Sequence, residues 1–128
     1  MKSRLRALLL YLILTPQISF SQWSALTTSE LGNSLFIDYE RIKQANGYVY
    51  WWSLFDYLEP VNGVFSAASY NEGDCDLLRF RTLQSVFYYQ PMGRGRSFQS
   101  SSGITAWGYP PPESLVEISI LAACRSVK

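Results

Sequence analysis

The sequence predicts an α+β fold: an antiparallel β-sheet with a C-terminal α-helix packed on it, and one disulfide. Three observations carry that expectation. Aromatic and β-branched residues dominate Tyr48–Tyr57, a run bounded by the turn signals Asn46-Gly47 and Asn62-Gly63. The pattern changes near the C-terminus, where Pro110-Pro111-Pro112 leads into Ser114-Leu115-Val116-Glu117, a serine N-cap with glutamate at N3. Two cysteines, Cys75 and Cys124, stand in a chain that opens like an export signal.

Lys2, Arg4 and Arg6 form a basic start, and Ala7–Leu14 is an unbroken apolar core ended by Pro16. Ser19 and Ser21 supply small residues at −3 and −1, so residues 1–21 read as a signal peptide cleaved before Gln22. The alternative is a membrane anchor, but a helix needs roughly 20 apolar residues to span a bilayer. No membrane span is therefore expected, and residues 22–128 form one domain. Without the leader's three cations, eight basic residues face ten acidic ones, a net charge of about −2. That balance gives no reason to expect nucleic acid as a partner.

Ser34–Asp38 reads as a short strand, followed by a turn through Tyr39–Ile42. In the strand from Tyr48 to Tyr57, one face carries Tyr48, Tyr50, Trp52, Leu54 and Asp56. The other carries Val49, Trp51, Ser53, Phe55 and Tyr57. Both faces are apolar enough to predict a central strand covered on both sides along much of its length, with Trp51 and Trp52 in the core. Val64–Tyr70 follows as a strand, Asn71-Glu72-Gly73 as a turn, and Asp74–Leu83 as a long strand continued or neighboured by Ser85–Tyr89. Gly93–Arg96 reads as a glycine-rich turn, and Ser97–Thr105 as an irregular strand or loop. The helix is expected from Leu115 to Cys124 and, with eight apolar residues in ten, largely buried. An even cysteine count in an oxidising compartment predicts a Cys75–Cys124 bridge; two separate buried thiols are the alternative.

The chain contains no histidine. That removes the usual general base, the Ser/His and Cys/His nucleophile systems and the commonest zinc ligand. Glu72, Asp74 and Asp76 crowd around Cys75, but they lack the spacing of a calcium loop and read as a solvated turn. No metal and no cofactor are expected. Gly93–Arg96 lacks the lysine and the strand–loop–helix setting of a phosphate loop. The basic residues are less evenly spread: Arg79, Arg81, Arg94 and Arg96 fall within eighteen positions, with Tyr88 and Tyr89 between them. Arginine forks suit carboxylates and sulfates, and tyrosines add flat contact area, so Arg79, Arg81, Tyr88, Arg94 and Arg96 are the candidate ligand-binding residues. Attraction of that kind weakens with salt. Against it stands a purely structural reading, in which these arginines pair with nearby acids.

Several motifs together resemble a known family. They are Trp52-x-Leu54-x-Asp56-Tyr57, then Asp74-Cys75 with Arg79-Phe80-Arg81, then Met92-Gly93-x-Gly95. Trp107, Pro112, Ser114 and Cys124 complete the series. In order and spacing these are similar to the surface-adhesin protein E-like domain of bacteria, over nearly all of residues 22–128. The resemblance implies an exported envelope protein, in the periplasm or on the outer cell surface. It also implies a non-catalytic binding role, extending to adhesion to protein or acidic polysaccharide. A periplasmic hydrolase using paired carboxylates is the alternative, since such pairs meet in space rather than in sequence. The oligomeric state is left open, with a dimer among the options.

Overall fold

The computed structural model describes residues 23–128; the expected signal peptide lies outside the described residues. The described residues fold as seven strands and one α-helix: β1 (Ser24–Thr28), β2 (Ser34–Ile37), β3 (Lys43–Ala45), β4 (Tyr48–Val61), β5 (Val64–Asp74), β6 (Arg79–Gln90), β7 (Arg94–Gln99) and α1 (Leu115–Ser126). The strands make one antiparallel sheet in the order β1-β2-β4-β5-β6-β7, with β3 also paired to β4. Strand β4 is central, as its composition predicts. It meets β5 from Val49↔Gly73 to Asp56↔Ser66, and its other edge meets β2 and β3. Strands β3 and β4 are joined by Asn46-Gly47, both with positive φ (53° and 82°). That is the geometry of a two-residue turn whose twist matches the strands it joins.

Helix α1 lies on one face of the sheet only. Its buried residues are Ser119, Ile120, Ala123 and Cys124, and they meet Ile37, Val49 and Trp51 in the main core cluster. The indole Nε1–H of Trp51 donates to Ser119 Oγ at 2.7 Å, so the buried ring leaves no polar atom unpaired. From Leu115 to Cys124 no residue is exposed: four are buried and the other six are partly buried, in keeping with the expectation of a largely buried helix. At its N-terminus Ser114 Oγ accepts from Glu117 N–H at 3.2 Å, while Glu117 Oε1 accepts from Glu113 N–H at 3.1 Å. The glutamate thus reaches one residue further back than in the reciprocal box. Cys75 and Cys124 are bridged, tying the last turn of α1 to the β5–β6 connection.

The coverage of β4 is corrected. Val49, Trp51 and Ser53 are buried beneath the helix, whereas Tyr48, Tyr50 and Trp52 on the opposite face are only half-buried. Leu54, further along that second face, is fully buried. The turn Pro91–Gly93 folds over this end of the sheet and is held by side chains beneath it. Met92 N–H donates to Asp56 Oδ1 and Gly93 N–H to Ser66 Oγ, both at 2.8 Å. The second face is therefore capped at one end and open at the other.

Two turn expectations shift by a few residues. Asn71-Glu72-Gly73 belongs to β5, and the connection to β6 is Cys75–Leu78. Asp74 sets it: Oδ1 accepts from the N–H groups of Asp76 (3.1 Å) and Leu77 (3.2 Å), and Leu78 adopts positive φ. A side chain that mimics a backbone turn in this way outweighs the Asn-x-Gly signal upstream. Likewise the turn before β7 is Pro91–Gly93, and Arg94 and Arg96 already belong to the strand. Gly73 is required for another reason. A Cβ there would lie 2.8 Å from the Trp51 ring, so the glycine makes room for the core tryptophan.

After β7 the chain runs along the remaining outer edge of β6. Phe80 and Gly108 exchange backbone hydrogen bonds at 2.9 Å in both directions, and Thr105 N–H donates to Thr82 C=O at 3.0 Å. This pairing fixes Trp107 beside the open face. Among the described residues, no helix is long and apolar enough to cross a membrane.

Candidate functional site

The open face of the sheet gathers most of the chain's unusual chemistry. Trp52 on β4 stands opposite Tyr70 on β5, and Tyr50 stands opposite Glu72. The Trp52 and Tyr70 rings are stacked with centroids 5.1 Å apart, and Tyr50 and Tyr70 lie 6.2 Å apart. At the same end of the sheet as Tyr48, Trp107 reaches in from the edge segment, 5.3 Å from the Tyr48 ring. The aromatic rings thus form a strip across neighbouring strands.

Three arginines are built into this strip. Glu72 and Asp74 on β5 face Arg81 and Arg79 on β6 in direct register. Arg81 Nε donates to Glu72 Oε1 at 2.6 Å, and Arg79 Nε to Asp74 Oδ2 at 3.2 Å. Both guanidinium carbons lie over the Trp107 ring, at 4.7 Å for Arg79 and 4.8 Å for Arg81. At the far end of the strip Arg41 Nε donates to the buried carboxylate of Asp38. Its guanidinium sits 5.4 Å from the Trp52 ring and 5.8 Å from Trp23. Each arginine is therefore held twice, by a carboxylate at Nε and by an indole face.

Of the three acids read as a solvated turn, Asp76 is exposed in the turn as expected, but Glu72 and Asp74 are not. Glu72 is only 5% exposed and Asp74 9%, because both lie in β5 beneath the arginines. Two backbone N–H groups and Arg79 hold the Asp74 carboxyl below its ordinary range; the bond from Leu77 N–H is the largest cause. Tyr50 O–H donates to Glu72 Oε2, and this bond, aided by burial, pushes the phenol up to about 12. A raised folded-state pKa means that the tyrosine's contribution to stability is complete below pH ~10. It is then lost as pH climbs through about 12. Alkaline titration of tyrosinate absorbance is expected to show two late-ionising tyrosines, Tyr50 and the partly buried Tyr57, whose phenol burial also pushes up. Glu72→Gln is expected to return only the Tyr50 part toward the ordinary value; a late amplitude of undiminished size in that variant would show that Glu72 is not the cause. Among the described residues, no group of acidic or cysteine side chains is arranged to hold a metal ion.

The structure brings together only part of the residue set proposed from sequence. Arg79 and Arg81 meet at Trp107. Arg94 pairs in register with Gln90 at the other end of β6, about 30 Å from Arg81 at the usual strand rise. Arg96 lies over the ring of Tyr89, 5.3 Å away, rather than beside Tyr88. Tyr88 shares the open face but sits under its capped end, near Gly93. Tyr89 and Phe98 instead line an apolar groove of about 260 Å³ with Tyr57, Val61 and Phe87. Sequence reasoning missed Arg41, Tyr50, Trp52, Tyr70 and Trp107 as site residues. Strand alternation already placed Tyr50 and Trp52 on one face; that the helix packs on the other face and leaves their rings half-buried was not visible.

Comparison with known proteins decides the family. The family model described as surface-adhesin protein E matches residues 23–125. The chain belongs to the surface-adhesin protein E family. Among solved structures, protein E of Haemophilus influenzae in crystal form II is similar with a TM-score of 0.64 and 18% identity. That alignment covers 86% of this chain and 92% of the other. Protein E from non-typeable Haemophilus influenzae gives a TM-score of 0.57 at 18% identity, over 85% of this chain and 80% of the other. At this identity the protein E structures establish a shared fold. No curated protein sequence matches the chain.

Proposed function

We propose that this member of the adhesin E family is exported after cleavage before Gln22 and acts at the cell envelope as a non-catalytic binding module. Its ligand lies on the open face of the sheet. The observation that carries this reading is the row Trp52, Tyr70, Tyr50 and Trp107, half-buried on the part of the face that, among the described residues, the Pro91–Gly93 turn leaves open. Large rings left at a surface, with arginines locked among them, are the side chains that dominate binding hot spots. Arg79 and Arg81 belong to this face; Arg94 and Arg96 lie outside it.

The hydrolase alternative needs a carboxylic acid kept protonated near neutral pH. The paired acids here are instead arginine-bound, and Asp74 is held below its ordinary range. Binding of the mature chain to immobilised matrix proteins and polysaccharides tests the proposal. Trp107→Ala is expected to weaken capture by at least about tenfold, as hot-spot aromatics do. Arg94→Glu with Arg96→Glu is expected to leave it within about twofold, since separated sites act independently. The reverse pattern would move the binding surface to β7.

A further inference from the structure

We infer that the open face takes a neutral polysaccharide, a ligand with apolar ring faces and a rim of hydroxyl groups. This rests on the reading of that face as the binding surface, and it narrows the partner class.

Charge is the deciding observation. Three cations stand in the strip, and each is matched inside the protein: Arg41 by Asp38, Arg79 by Asp74 and Arg81 by Glu72. One further charge shares the open part of the face by register, Lys43 opposite Tyr50 on edge strand β3. Asp56 lies under the Pro91–Gly93 turn, bonded to Met92 N–H. An acidic chain approaching this face thus meets a single rim lysine beyond the three internally matched arginines. It would also compete with carboxylates that are already in place and buried. Attraction of a polyanion is thus weak here, although arginines first suggest it.

What the face does present suits neutral sugars. The carboxylates are bound through Nε in all three arginines. A guanidinium has five N–H donors, so terminal donors remain for ligand hydroxyls beside each aromatic ring. Those donors are pre-oriented, because the carboxylate and the indole fix the guanidinium plane. Pyranose rings carry C–H groups on their faces, which stack on aromatic faces, and hydroxyls around their edges, which accept from such donors. The Trp52 and Tyr48 positions on β4 are four residues apart, about 13 Å at the strand rise. One cluster of ring and arginine thus stands at each end, a spacing for several linked sugars rather than one.

Calorimetric titration of the mature chain tests this, with galactomannan, dextran and hydroxyethylcellulose as neutral probes and alginate and heparan sulfate as acidic ones. At least one neutral polymer is expected to bind, with affinity changing less than about twofold between about 0.05 M and 0.5 M salt. Trp52→Ala and Trp107→Ala are each expected to weaken it by at least about tenfold. Trp107 lies outside the strands and the helix, so its removal leaves the sheet intact. The inference is overturned if none of the three neutral polymers binds, or if only the acidic polymers bind and are released by salt. If alginate binds and both tryptophan variants lose it, the ligand class falls while the face stands. If both variants bind as well as the native chain, the face falls too.

Discussion

Cys124→Ser is expected to lower the free energy of unfolding by about 4 kcal/mol, the loop-closure contribution of a bridge spanning roughly 50 residues. The two cysteines are 49 positions apart, and their bond is what links the end of α1 to the sheet covalently. For a domain of this size the loss is a large share of total stability. The effect spreads beyond the bond, because Cys124, Ala123 and Ile120 form one side of the core cluster. Denaturant titration should give Cys124→Ser and the reduced native chain the same midpoint, well below that of the oxidised chain. Equal midpoints for oxidised native chain and variant would show that the helix is held by packing alone.

Trp51→Ala is expected to cost at least about 4 kcal/mol, whereas Trp52→Ala should cost about 1–2 kcal/mol. The two residues are neighbours of the same type on the same strand, so helix coverage alone separates them. Trp51 is 1% exposed and bonded to Ser119, so truncation leaves both a cavity and an unpaired buried hydroxyl. Trp52 is half-buried, and its truncation loses ring contacts with Tyr70 and Arg41. Thermal or denaturant unfolding of the two variants checks the difference. Equal losses would mean that both faces of β4 are core, as the sequence pattern alone suggests.

Much of the fold is legible from local signals. The central strand, its Asn-Gly turns, the helix N-cap at Ser114 and the Cys75–Cys124 pairing all follow from residue type and spacing. Strands β1 and β3 are not legible, because Ser-Ala-Leu-Thr-Thr and Lys-Gln-Ala carry little apolar alternation. They are strands because β2 and β4 offer free edges to pair with. The exact turn between β5 and β6 was hidden for a similar reason, since the Asp74 side chain, not the glycine, shapes it.

The candidate site was legible only in part. Arg79 and Arg81 stood out by their spacing, but their partners Glu72 and Asp74 become visible only through strand register. Trp107 lies far from β4 in sequence and reaches Tyr48 through the edge pairing of Gly108 with Phe80. Arg94 and Arg96 are close to Arg81 in sequence, yet a long strand carries them to the far end of the sheet. Proximity along a β-strand is a poor guide to proximity in space, because each residue adds about 3.3 Å.

The claim that the open face is the binding surface is tested most directly by oxidative footprinting of the tryptophans, with and without a bound polysaccharide. Trp51 should stay unreactive in both states, since it is buried beneath α1. Trp52 and Trp107 should react in the free protein and become protected in the complex. Unchanged reactivity of both in a saturated complex would contradict the account.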